Sequence, residues 1–192
     1  MSQNIRSFIA IELPDGIKSV LENIQQELKS MRLRARWVKP KNIHLTLKFL
    51  GNVDPLDIDN IAGAIDDAAR EFAPFTLKVG GIGFFPGIKR PRVVWVGLDG
   101  DSQILLDLQR NLEDHLAALG FQKEKRAFKA HLTLGRIRNA VHPDIAGRAI
   151  EPSTGPGEQQ FTADRIILFK SDLKPTGAEY SKLKETRLLN EN

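Results

Sequence analysis

The chain has 192 residues, 41% of them hydrophobic and 27% charged, the balance of a soluble globular protein able to bury a substantial core. It contains no cysteine, which excludes disulfides, thiol catalysis and cysteine-ligated zinc. A net charge of +4 inclines it towards anionic partners, and the only early apolar run, Phe8-Ile9-Ala10-Ile11, is too short for a signal or membrane segment, so a cytoplasmic location is expected.

Arg6 to Leu13 reads as a first strand, with Ile9, Ile11 and Leu13 on one face and Pro14 ending it. A helix follows from Pro14 or Asp15 to about Ser30, its apolar stripe formed by Ile17, Val20, Leu21, Ile24 and Leu28. Arg34 to Val38 is predicted as a strand, and the Lys39-Pro40-Lys41-Asn42 turn leads into another from Ile43 to about Leu50. Strict alternation places His44, Thr46 and Lys48 on the front of that strand and Leu45, Leu47 and Phe49 behind. Asp54-Pro55 opens a second helix, carried by Ile58, Ile61, Ile65, Ala68 and Phe72. Phe75 to Val79 reads as a strand, followed by a glycine-rich stretch, Gly80 to Gly87, and the cations Lys89, Arg90 and Arg92. That stretch lacks the Gly-Lys-Ser/Thr ending of a nucleotide-binding loop; Phe84 and Phe85 beside the cations are read either as a base-stacking surface or, for at least one of them, as core.

Val93 to Gly97 is a buried strand, and a third helix carries Ile104, Leu105, Leu108, Leu112, Leu116 and Leu119 before ending at Gly120. His115 is expected at the surface or boundary of this helix. A strand from about Phe128 to Ile137 comes next, then a short helical or irregular piece from His142 to about Ile150, with no role assigned to His142. Glu151 to Gly157 is a flexible loop, and two last strands, Phe161 to Ser171 and Glu179 to Leu188, are joined around Lys174-Pro175-Thr176-Gly177 ahead of a polar tail. No linker divides the chain, so residues 1–192 are expected to form one domain whose halves share a cleft.

The chemistry lies in a repeat. His44-Leu45-Thr46-Leu47 returns as His131-Leu132-Thr133-Leu134, and these are two of only four histidines. On a strand the His and Thr share one face and the leucines the other, so two copies can present two imidazoles and two hydroxyls across one cleft. Arg32, Arg34, Arg36, Lys39, Lys41 and Lys48 surround the first copy, and Lys123, Lys125, Arg126, Lys129, Arg136 and Arg138 the second. Basic runs are usually solvated faces, but two of them flanking the same motif favour a phosphate-binding cleft. One neutral imidazole can accept a proton while the other, charged, donates one, and the threonines and cations can stabilise the phosphoryl oxygens. The faces bearing the motifs carry no carboxylate, which weighs against a metal site, and no Gly-x-Ser-x-Gly elbow supports serine hydrolysis. Two ordinary half-buried strands, or a non-catalytic RNA-binding module with a basic cleft, are the competing readings.

The paired motifs resemble those of the 2H phosphoesterase superfamily and, more narrowly, the RNA 2′,3′-cyclic phosphodiesterases, also called 2′-5′ RNA ligases. Asn42 to Gly51 is the most specific segment, and Phe8 to Ile11, Pro91 to Trp95, Ser171-Asp172-Leu173, Gly177 and Tyr180 extend the pattern over essentially the whole chain. The resemblance implies an α+β bilobal fold with pseudo-two-fold symmetry, antiparallel sheets lining a central cleft and helices packed outside. It implies metal-independent, cofactor-free hydrolysis of RNA 2′,3′-cyclic phosphate ends to 2′-phosphates, with reversible 2′-5′ ligation as a side activity. Carried over by motif, it makes His44 the general acid and His131 the general base, with Thr46, Thr133 and Arg136 binding phosphate. Arg136 stands on the wrong strand parity unless a bulge near Gly135 brings it round. Lys48, Phe84, Phe85 and Arg92 are further substrate-binding candidates. The partner implied is an RNA or oligonucleotide with a cyclic phosphate end, with no membrane and with a monomer as the working expectation.

Overall fold

The computed structural model describes residues 4–150, 159–175 and 177–189. Its elements run β1 (Ile5–Glu12), α1 (Asp15–Ser30), β2 (Arg36–Trp37), β3 (His44–Val53), α2 (Ile58–Arg70), β4 (Phe75–Phe85), β5 (Val93–Gly100), α3 (Ser102–Ala118), β6 (His131–Arg136), α4 (Pro143–Ala149), β7 (Gln160–Ala163), β8 (Arg165–Lys174) and β9 (Gly177–Arg187). The strands pair antiparallel in the order β7-β4-β5-β6-β3-β1-β8-β9, with β2 added along β6. Among the described residues no helix is long and apolar enough to cross a membrane.

Two half-sheets, β7-β4-β5-β6 and β3-β1-β8-β9, meet at a single residue pair, Leu45 opposite Leu132. These leucines hold the same place in the two motifs, so a local two-fold axis passes through their pairing. About that axis β1-α1-β3 is repeated by β5-α3-β6, which is the α+β pseudo-two-fold architecture that the family resemblance implied. Leu45, Leu47, Leu132 and Leu134 are all buried, in one core with Leu21 and Leu28 of α1 and Leu105 and Leu112 of α3. The apolar backs of both motif strands are thus fixed by burial, at roughly 1.5–3 kcal/mol for each such side chain. Their fronts are left to the cleft.

α1 and α3 end alike. The Leu33 N–H reaches the Leu28 carbonyl and the Phe121 N–H the Leu116 carbonyl, each across six residues, with Arg32 (φ 64°) and Gly120 (φ 90°) as the left-handed residues. α2 lies against α3, burying Ile61, Ile65, Ala68 and Ala69.

Several strands depart from their expected bounds. β3 continues through Gly51, which takes φ 76° at an irregularity in its pairing with β1. β4 continues through the glycine-rich stretch, with an irregularity in its pairing with β5 at Gly80 and Gly81, and the Trp95 ring from β5 lies on Gly83 and leaves no room for a Cβ. Residues 34–38 keep only a two-residue strand, and β6 is shorter than the predicted strand 128–137. The predicted strand 161–171 is two strands. β7 pairs with β4 at one edge, and after Asp164 β8 crosses to pair with β1 in the other half. The turn around Thr176 falls partly, and the loop Glu151–Gly157 and the polar tail after Leu189 wholly, outside the described residues.

Candidate active site

The two histidines are held in the same way. His44 Nδ1 lies 2.8 Å from the carbonyl of Asn42, and His131 Nδ1 2.7 Å from that of Lys129. In both cases the partner is the backbone two residues upstream, and a carbonyl only accepts. Each Nδ1 therefore carries the hydrogen, and each neutral ring keeps a bare Nε2 as its proton acceptor. Continuing the register from the Leu45–Leu132 pair sets His44 level with Thr133 and His131 level with Thr46. All four line one cleft of about 440 Å³.

A bulge in each motif strand completes the front. β1 residues Ile9 and Ala10 pair with Lys48 and Thr46, leaving Leu47 extra; β5 residues Val94 and Trp95 pair with Gly135 and Thr133, leaving Leu134 extra. Side-chain parity flips after each bulge. Arg136 is thereby exposed and lines the cleft, and at the matching place in the first motif stands Phe49, 61% exposed at the cleft mouth rather than in the core. Lys48 is turned the other way. Its ammonium is buried behind β3, 2.7 Å from Glu113 of α3 and hydrogen-bonded to the Gln122 carbonyl, so it is not a substrate ligand in this structure.

Aromatic walls stand behind both imidazoles, but they differ. His44 stacks on Phe8 at 4.6 Å between ring centres, with Tyr180 edge-on at 5.3 Å and Phe169 behind Phe8. His131 meets Phe85 edge-on at 4.9 Å, and Lys129 lies 4.5 Å over the neighbouring Trp95 ring. Burial in its wall lowers the His44 pKa to about 4; the Asn42 carbonyl pulls it up less strongly, and His131 adds a small push down. Burial pushes the Tyr180 phenol above its ordinary range, opposed by Arg136 and Arg6.

Among the described residues Arg6, Arg36, Lys39 and Arg136 supply four cations to the lining, and no carboxylate appears in it. Among the described residues no three His, Asp or Glu side chains are grouped as a metal site would require. Of the remaining candidates, Phe85 stands against His131, whereas Phe84 is buried in the main core, its alternation partner. Arg92 is exposed at the end of the β4–β5 hairpin, where its backbone bonds Phe85 and Ile137, and does not line the cleft. His142, given no role from sequence, caps α4 by accepting the Asp144 N–H. Of the basic run flanking the first motif, Arg36 and Lys39 reach the cleft lining, while the sequence pattern gave no sign of Arg6 or of the stacking of Phe8. Alternation along β1 does set Phe8 opposite the Ile9–Ile11 face, but the register pairs Phe8 with Phe49 and His44 with Glu12, so only the contact of the two rings reveals that His44 lies over it.

The family model of LigT-like phosphoesterases matches the chain twice, over residues 11–95 and 96–180, once for each half of the pseudo-symmetric fold. Curated relatives called RNA 2′,3′-cyclic phosphodiesterase include one from Methanothermobacter thermautotrophicus, 32% identical over 96% of this chain and 99% of that protein. Another, from Thermotoga maritima, is 35% identical over 94% of each. Crystal structures of E. coli LigT superpose with TM-scores of 0.79 in the apo form (25% identical, covering 98% and 100% of the two chains) and 0.77 in complex with 3′-AMP (26% identical, covering 97% and 99%). A duplicated family match, a duplicated histidine–threonine strand and a shared fold lead to one assignment: the chain belongs to the LigT-like phosphoesterases of the 2H superfamily.

Proposed function

We propose that the protein hydrolyses RNA 2′,3′-cyclic phosphate ends to 2′-phosphates by metal-independent acid–base catalysis between His44 and His131. The observation that carries this reading is the pair of imidazoles, each with Nδ1 engaged by its own backbone, opening on one cleft lined by cations and, among the described residues, by no carboxylate. His131 Nε2 takes the proton of a water that attacks phosphorus. The bond to the 3′ oxygen breaks, and the Nε2–H of His44 protonates that oxygen, leaving a free 3′-hydroxyl and a 2′-phosphomonoester. Thr46, Thr133 and Arg136 stabilise the charge on the non-bridging oxygens. With a 5′-hydroxyl in place of water as the nucleophile, the same forward steps join RNA through a 2′-5′ linkage, and their reversal cleaves it back to the cyclic phosphate. The relatives' names and the 3′-AMP bound to E. coli LigT support a nucleotide phosphate ester as the substrate.

The lowered pKa of His44 favours a second reading. A ring neutral at pH 7 serves as a base, and with the roles exchanged the 2′ oxygen departs and a 3′-phosphate results. The first reading requires the anionic substrate to raise His44 in the complex. Phosphorus NMR of the product formed from a cyclic-phosphate RNA in excess chelator separates the two. A 2′-phosphate is expected, and a 3′-phosphate would reverse the roles. His44→Ala and His131→Ala should each lower turnover by about a hundredfold or more with the fold retained. Wild-type turnover in either would remove the site altogether, and activity lost to chelator and restored by one divalent ion would replace the metal-free mechanism.

A further inference from the structure

Two shallow depressions continue the cleft around β2. Trp37 lines both the cleft and a depression shared with Lys29, Arg32 and Arg34; Arg36 lines both the cleft and a second depression shared with Arg34 and Arg138. Among the described residues no carboxylate lines any of the three, and none of these five cations is within ion-pair distance of an acid. We propose that this surface is a track for the single-stranded RNA that precedes the reacting end, so that the enzyme favours polynucleotide ends over mononucleotides. The proposal deepens the cyclic-phosphodiesterase reading and rests on it for the identity of the reacting end.

The fold's own symmetry separates such a track from an ordinary solvated face. The segment that matches β2 in the second half follows α3, and there Lys123 is paired with Asp114 and Glu124 stands beside it. The left-handed residue closing α3 is Gly120, whereas α1 is closed by Arg32 at φ 64°, a position that disfavours any side chain. The half that borders the depressions thus keeps an arginine where its counterpart has the easier residue. Trp37 offers an aromatic ring between cleft and depression, packed on Gly135, where a Cβ would come within 3.1 Å of it, with the Lys29 ammonium 5.4 Å over the ring, so that a base stacking there displaces Lys29 towards a phosphate. Cations along a path with an aromatic platform suit phosphates and a base of single-stranded RNA better than an acidic peptide, which has no base to stack.

The test uses the intact protein and an end-labelled RNA of about twelve nucleotides ending in a 2′-phosphate, with binding followed by anisotropy across a salt series. The double variant Arg34→Gln, Arg138→Gln should bind at least about tenfold more weakly, with a log–log salt slope shallower by about 1.4, from about 0.7 for each of two phosphates no longer neutralised. In turnover, the ratio of kcat/KM for a cyclic-phosphate oligonucleotide to that for a cyclic mononucleotide should fall towards one. Unchanged affinity and slope would overturn the track. So would poly-glutamate of equal charge competing as well as RNA, which would make the surface a site for acidic proteins. A wild-type protein that hydrolyses neither substrate would refute the reaction, while the binding series would still decide the track.

Discussion

His44 carries the sharpest physical consequence of a single residue's surroundings. Its imidazole is packed against Phe8, Phe169 and Tyr180, and burial holds its pKa near 4 instead of 6.5. Well above pH 6.5 the ring is neutral in both folded and unfolded chains and contributes no pH dependence. As pH falls from 6.5 towards 4, the unfolded chain takes up a proton that the folded one refuses, so stability declines, by on the order of 3 kcal/mol in all. Urea midpoints across that window should therefore slope more steeply for the wild type than for His44→Gln; parallel curves would mean that the ring is not desolvated. Binding of a 2′-nucleotide should reverse the shift, because an anion in the cleft favours the imidazolium. Proton NMR of the His44 ring should show its titration moving upward on saturation, and an unmoved titration would deprive His44 of the acid role.

At the scale of elements, alternation made the motif strands legible and a bulge set the limit of that legibility. His44, Thr46, His131 and Thr133 precede the extra residues Leu47 and Leu134, so the two-residue period places them correctly. Lys48, Phe49 and Arg136 follow the extra residues, and a period of two puts each on the wrong side. No glycine or proline stands at Leu47 to announce the insertion, and Gly135 only hints at the second. The break at Asp164 was unreadable for the same reason, since residues 161–171 keep a strand composition while changing half-sheets. The buried Lys48–Glu113 pair puts the bulge to a test. Lys48→Ala leaves the buried Glu113 carboxylate without its counter-charge, held by the Gln109 side chain and the Glu124 N–H, and should destabilise by about 3–5 kcal/mol, whereas Lys48→Met with Glu113→Leu should recover most of that. A small loss in the single variant would contradict the burial of Lys48. Arg32→Gly, at the end of α1, should raise stability by about 1 kcal/mol by relieving a left-handed arginine, while weakening RNA binding. Thermal melts and the anisotropy assay check both halves of that exchange.

For the whole molecule, the question is how a nearly two-fold scaffold performs a one-way reaction. The axis through Leu45 and Leu132 relates the two histidines and the two threonines, so those four groups cannot by themselves choose which ribose oxygen departs. The choice must come from the pairs that the axis relates but that differ in chemistry. The sharpest is Phe49 against Arg136, equivalent positions at opposite rims of the cleft, one aromatic and 61% exposed, the other cationic. A guanidinium beside the phosphate gains as charge builds on the non-bridging oxygens, so its effect is greatest in the transition state. An aromatic rim residue holds a base equally well before and during reaction, which is uniform binding. Arg136→Gln should therefore lower kcat, by about tenfold or more, whereas Phe49→Ala should raise KM for an oligonucleotide with kcat little changed. The kinetic split is the measurement. If both variants changed only KM, the rims would be equivalent binding surfaces, and the asymmetry that orients the ribose would have to lie in the unequal aromatic walls behind His44 and His131.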